Sequence, residues 1–143
     1  MRLDLLKAAL IREEGLELKP YVDTVGKITI GVGRNLTDNG ISEEEAMLLL
    51  DEDIAYVVVQ MAKLPWFSAL DDVRQRVLAD MCFNLGFKGL MSFKRTLAAV
   101  QDGDYTAAAR HMLDSKWAQQ VGRRAVRLSA MMQTGLDQPW GHA

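Results

Sequence analysis

The stretch Glu13-Glu14-Gly15-Leu16-Glu17-Leu18-Lys19-Pro20-Tyr21-Val22-Asp23-Thr24-Val25-Gly26-Lys27-Ile28-Thr29-Ile30-Gly31-Val32-Gly33 decides how the chain is read. Before it, Leu3, Leu6, Leu10 and Ile11 recur at helical spacing over roughly residues 2–13, and Gly15 is a stop signal. Inside it the period changes. Pro20-Tyr21-Val22 and Ile28-Thr29-Ile30 are β-rich runs joined by Asp23-Thr24-Val25-Gly26-Lys27, which predicts a hairpin or the start of a small antiparallel sheet. Gly31 and Gly33 permit bends or a close backbone approach. Thr37-Asp38-Asn39-Gly40 is a turn cluster.

Beyond that turn the pattern is helical. Ser42 and Glu45 form a capping box, followed by an apolar face of Leu50, Ile54, Val57, Val58 and Met61 that Pro65 ends. Leu70, Val73, Val77, Met81 and Leu85 make the strongest stripe, closed by Gly86, and predict a buried central helix. Ser92 is read as the cap of a helix carrying Phe93, Leu97 and Val100, and Asp104 as the cap of one carrying Tyr105, Ala108, Ala109 and Met112. A short helical piece begins at Ser115, and Arg123–Met132 is basic on one side and apolar on the other. The expected fold class is therefore α+β and mostly helical, with segregated elements. We expect one domain over residues 1–143: a sheet lobe at roughly 15–42, a helical lobe from 1–14 plus 60–143, a linking helix at 43–62, and a cleft between the lobes. The first helix is too short to be stable alone and is expected to pack back onto the later ones.

Composition narrows the classes. A chain of 143 residues, 49% hydrophobic and 25% charged, is long enough for a core of its own. A net charge of −2 does not suggest a protein that wraps nucleic acid. Cys82 is the single cysteine, so an intramolecular disulfide is impossible; its apolar helical setting predicts a packing residue. No apolar run is long enough to span a membrane, and Arg2, Asp4 and Lys7 interrupt the N-terminal stripe where a signal peptide would be continuous. The expectation is cytoplasmic synthesis, export by another agent, no stable membrane insertion, and a monomer. No His, Cys and Asp cluster has metal-ligand spacing, so neither metal nor cofactor is expected. Trp66, Trp117 and Phe93 are read as core residues; Trp140 and His142 are read as a tail without a role.

The acids of the opening stretch carry the chemistry. Eight residues separate Glu14 from Asp23, and five separate Asp23 from Thr29. A helix end and a hairpin turn can set two carboxylates on opposite walls of a cleft, as glycosidic bond hydrolysis requires. One must be protonated to donate to the leaving oxygen, and burial is the usual means of keeping it so. The other must be ionised, to activate water or to offset positive charge on the sugar. A threonine hydroxyl can hold the water. Spacing alone leaves a solvated loop open, and leaves Glu13 and Glu17 as rivals of Glu14.

The string around these acids resembles the signature of the phage-type lysozymes, E-G-x-x-L-x-x-Y-x-D-x-x-G-x-x-T-I-G-x-G. It is met by Glu14, Gly15, Leu18, Tyr21, Asp23, Gly26, Thr29, Ile30, Gly31 and Gly33. The resemblance implies a lysozyme-like fold, Glu14 as general acid, Asp23 as base or nucleophile, and Thr29 as positioner of the water. It extends over nearly the whole chain. "RQRVLADMCFNLG" resembles the family's central helix and places Phe83 and Asn84 near the cleft. Thr96 and His111 fall where family members contact saccharide, and Arg124 matches a basic residue that pairs with the catalytic Glu. Two positions depart: Arg34 stands where a His is frequent, and Asn35, a substrate-side position, stands where the T-even phage member has Leu. The segment 35–42 is shorter than in the longest members, which implies a smaller sheet lobe. The implied function is a muramidase that cleaves the β-1,4 bond between N-acetylmuramic acid and N-acetylglucosamine in peptidoglycan, in a phage lysis setting with holin-type release. A lytic transglycosylase, a catalytically dead wall-binding protein and a tail-associated module are the alternatives.

Overall fold

The computed structural model describes residues 1–140; His142 lies outside them. The chain divides into two compact units, Met1–Leu49 and a second from Leu50 onward. The boundary falls inside a helix.

The first unit begins with helix α1, Leu3–Glu14, which ends at Gly15 as its stop signal predicts; the Gly15 N–H donates to the Ile11 carbonyl at 2.9 Å. Three antiparallel strands follow in the order β1 (Glu17–Val22), β2 (Ile28–Gly31) and β3 (Arg34–Asn35). Tyr21 pairs with Thr29 and Val22 with Ile28, so the predicted hairpin is present, with an irregularity between Glu17 and Tyr21. The turn cluster resolves into something the sequence reading lacks, strand β3 and the single-turn helix α2, Leu36–Asn39. Elements of two and four residues are too short to show periodicity. Their geometry is local: Asn35 Oδ1 caps α2 by accepting from the Asp38 N–H at 3.0 Å, and Thr37 Oγ1 accepts from the Ile28 N–H at 2.8 Å.

Helix α3, Glu43–Met61, starts with the predicted capping box. The Ser42 N–H donates to Glu45 Oε1 at 2.9 Å, and the Glu45 N–H to Ser42 Oγ at 3.1 Å. Only the end of its expected apolar face is buried. Val57, Gln60 and Met61 are inside, while Leu50, Ile54 and Val58 are exposed.

The second unit holds the core. Helix α4, Asp72–Met91, supplies Val77, Leu78, Met81, Cys82 and Leu90. Gly86 closes its long first stretch, as expected. With φ of 76° it breaks the helical path, and the chain then resumes a helical turn that buries Leu90. Ser92 closes α4 instead of opening the next helix: its hydroxyl donates to the Gly89 carbonyl at 2.6 Å, and α5, Lys94–Gln101, begins without a side-chain cap. Asp104 and Ser115 cap α6 (Tyr105–Leu113) and α7 (Lys116–Val121) as predicted, accepting from Ala107 and Ala118 N–H groups at 3.1 Å each. Helix α8, Arg123–Thr134, packs on α4, α6 and α7. Small residues at the α6–α8 contact, Ala108, Ala109, Ala125 and Ser129, are buried, and Ser129 Oγ reaches the Ala109 carbonyl at 3.1 Å. Methionine fills much of what remains: Met61, Met81, Met112, Met131 and Met132 are all within 2% of full burial.

Candidate active site

Glu14, Asp23 and Thr29 all fall in the first unit. Glu14 is the last residue of α1, and its carboxyl lies against the turn between β2 and β3: Oε2 is 2.8 Å from the position a Cβ would take on Gly33. Leu3, Leu6, Leu10, Ile11, Val32 and Gly33 surround a shallow hollow of about 450 Å³ with Glu14 at its edge. The apolar stripe of α1, expected to pack on later helices, lines this hollow within the first unit. None of its residues is buried.

Asp23 holds the hairpin turn. Its Oδ1 accepts from the N–H of Val25 at 3.0 Å and of Lys27 at 2.8 Å, and its own N–H donates to the Lys27 carbonyl at 2.9 Å. The carboxylate is thereby fixed by backbone rather than by a flexible side chain. Thr29 is 3% exposed and is the first unit's one buried residue. Its hydroxyl donates to the Lys27 carbonyl at 3.1 Å, which leaves its oxygen to accept a further hydrogen bond. Lys27 thus ties Asp23 and Thr29 together through its main chain.

Arg34, in place of the frequent His, has a structural occupation. It pairs with Glu45 at 2.9 Å and donates to the Gly40 carbonyl at 3.3 Å. The Arg34 guanidinium, followed by the Ser42 N–H and hydroxyl, pulls the Glu45 carboxyl down to about 2. Asn35 spends both ends of its amide on Asp38, accepting from its N–H and donating to its carboxylate at 2.9 Å.

The other predicted residues lie in the second unit, in three places. Thr96 and His111 share a pocket of about 530 Å³. Lys94, Arg95, Lys116, Ser115, Trp117 and Gln120, all missed as site residues, line it too. The signal was a set of cations at the start of α5 and the α6–α7 corner, hidden because twenty residues of sequence separate them. Trp117 is core as expected: its ring meets Phe93 edge-on at 5.8 Å and its indole N–H donates to Asn84 Oδ1 at 2.8 Å. Asn84 is therefore a partner of the core. Phe83 and Arg124 line a separate apolar groove with Leu50, Ile54 and Trp140. The Arg124 partner in the structure is Asp80, with Nε at 2.8 Å and the second nitrogen at 2.7 Å from Oδ1. Trp140, read as tail, stacks on the Arg127 guanidinium at 3.5 Å.

Known proteins resemble this sequence. The chain is 33% identical to the pre-baseplate central spike protein Gp5 of Enterobacteria phage T4, over 91% of its own length and 28% of that protein's. It is 24% identical to a probable T4-type lysozyme 1 of Dictyostelium discoideum, covering 94% of it. It is 28% identical to the SAR-endolysin of Escherichia phage Mu, covering 82%. A model of the family described as phage lysozyme matches residues 11–133, from the last turn of α1 into α8. A match over most of the chain, from the end of α1 through the hairpin and into α8, shows the family: the chain belongs to the phage lysozyme family.

Proposed function

We propose that this chain is a muramidase, hydrolysing the β-1,4 bond between N-acetylmuramic acid and N-acetylglucosamine of bacterial peptidoglycan. Membership of the phage lysozyme family supports a peptidoglycan-lytic glycoside hydrolase. The finer assignment rests on one observation: Glu14, Asp23 and Thr29 stand on one unit, with Asp23 and Thr29 both locked to Lys27. Glu14 donates its proton to the glycosidic oxygen as the bond to the anomeric carbon breaks. Asp23 takes a proton from water as that water adds to the anomeric carbon, with the Thr29 oxygen accepting the water's other hydrogen bond. Family analogy favours inversion of configuration. The pocket of Thr96 and His111 fits the saccharide contact that the resemblance implies, and its cations Lys94, Arg95 and Lys116 suit the carboxylates of peptide-substituted muramic acid.

Product masses from purified peptidoglycan test this, for the native chain and for Glu14→Gln. We expect hydrated muramic-acid ends from the native chain and a loss of roughly 10²–10⁴ in rate for the variant, the range for removal of a general acid. An anhydro ring would mean a transglycosylase, and no turnover by the folded native chain would mean a wall-binding protein.

The site of action we propose is the periplasmic face of the wall, reached after release through a membrane lesion. Among the described residues, no helix is long and apolar enough to cross a membrane. Expression in a bacterial cytoplasm should leave cells intact until the inner membrane is permeabilised; lysis without permeabilisation would refute that route. The relation to a spike protein favours a second setting with the same chemistry, a lytic module of a larger assembly.

A further inference from the structure

The Glu14 side chain lies along the α-carbon of Gly33. A Cβ there would stand 2.8 Å from Oε2, 3.1 Å from Cδ and 3.3 Å from Cγ of Glu14. The first of these is closer than a methyl group and an oxygen can approach. Positive φ disfavours a side chain at Gly33, but the crowding by Glu14 is a separate constraint. Gly31, two residues earlier, has φ of 70° against 68° at Gly33, yet a Cβ on Gly31 would meet nothing within 4 Å. The two positions share the same φ strain and differ in the carboxyl.

We propose that Gly33 is the positioning residue of the general acid: its missing side chain gives the Glu14 carboxyl its place. This rests on Glu14 being the acid. Which partner would yield to a methyl group follows from what holds each. The turn is fixed on both sides, by pairing of Thr29 with Asn35 and Ile30 with Arg34, and by the Arg34–Glu45 ion pair. The Glu14 carboxyl is the far end of an exposed side chain with soft torsions. A methyl on Gly33 therefore moves the carboxyl and leaves the turn standing. Displacement of a reacting group by about 1 Å costs on the order of 10²-fold in rate.

The test compares Gly33→Ala, Gly31→Ala and Glu14→Gln. We expect kcat of Gly33→Ala to fall ~10–100-fold below that of Gly31→Ala, with KM within about threefold. The ¹³C resonance of the Glu14 carboxyl, assigned by its loss in Glu14→Gln, should shift in Gly33→Ala and stay in Gly31→Ala. Equal kcat in the two alanine variants with an unmoved resonance overturns the proposal. So does a rise in KM alone, which would make Gly33 a point of substrate fit. A Gly33→Ala chain that fails to fold where Gly31→Ala folds overturns it as well, because the turn has then given way. Full activity of Glu14→Gln sinks the acid assignment itself, while the resonance still reports whether the methyl moves the carboxyl.

Discussion

Asn84 accepts the indole N–H of a Trp117 that is 4% exposed. Removing the acceptor leaves a buried donor without a partner, so Asn84→Ala should cost about 1–3 kcal/mol in denaturant unfolding. Cys82, 2% exposed, has its thiol pushed up by burial. It should react with a thiol reagent only as fast as the fold opens; immediate reaction in the native chain would contradict its placement. Glu14 and Asp23 stood out in the sequence because family spacing marks their positions. The partners of Asn35 and Asn84 were not. One amide is consumed by a cap three residues away and the other by an indole thirty-three residues away, and neither distance leaves a trace in composition or period.

Helix ends carry the next two expectations. Arg74 closes α8 from another helix, donating to the Met132 carbonyl at 2.7 Å and the Gln133 carbonyl at 3.0 Å while stacking on Tyr105 at 3.6 Å. These are terminal carbonyls without helical partners. Arg74→Met should therefore destabilise by about 2–3 kcal/mol, and Arg74→Lys should restore less than half, since an ammonium cannot span two carbonyls and a ring. At the start of α3, the Glu45 carboxyl is depressed to about 2 from an ordinary 4.5. A carboxyl that is more acidic when folded stabilises above its unfolded value and loses that contribution as it protonates. Fraying of the first turn of α3 should thus grow as pH falls from about 4.5 to about 2, followed by amide exchange at Glu45 and Ala46, and Glu45→Gln should show no such dependence. The capping box of Ser42 and Glu45 and the Asp104 cap were readable because each lies within four residues. Ser92 misled because a further helical turn follows the break at Gly86, so the serine meets the close of that turn and not the opening of the next helix.

Across the whole chain the buried apolar residues have one address. From Val57 to Met132, all of those described belong to the second unit, whereas the first buries only Thr29. Native-state hydrogen exchange should be slowest at Val77–Cys82, Ala108–Met112 and Leu128–Met132, and the first unit should exchange through openings well short of global unfolding. Equal protection in both would contradict this. The helical stripes announced that core in the sequence. The α6 alanines were read as part of a helix face, but their pairing with Ser129 of α8 was silent, because a serine carries little hydrophobic signal.

The methionines packed into that core give the molecule a chemical clock. Peroxide must collide with a thioether to oxidise it, so exposed Met1 and Met47 should be converted at once, whereas Met61, Met81, Met112, Met131 and Met132 must wait for an opening. Each sulfoxide formed during such an excursion is polar and does not fit the space it left. The return path closes behind it, and because peroxide reacts slowly compared with reclosing, the working lifetime of the chain under oxidant is set by the fraction of time the core stands open.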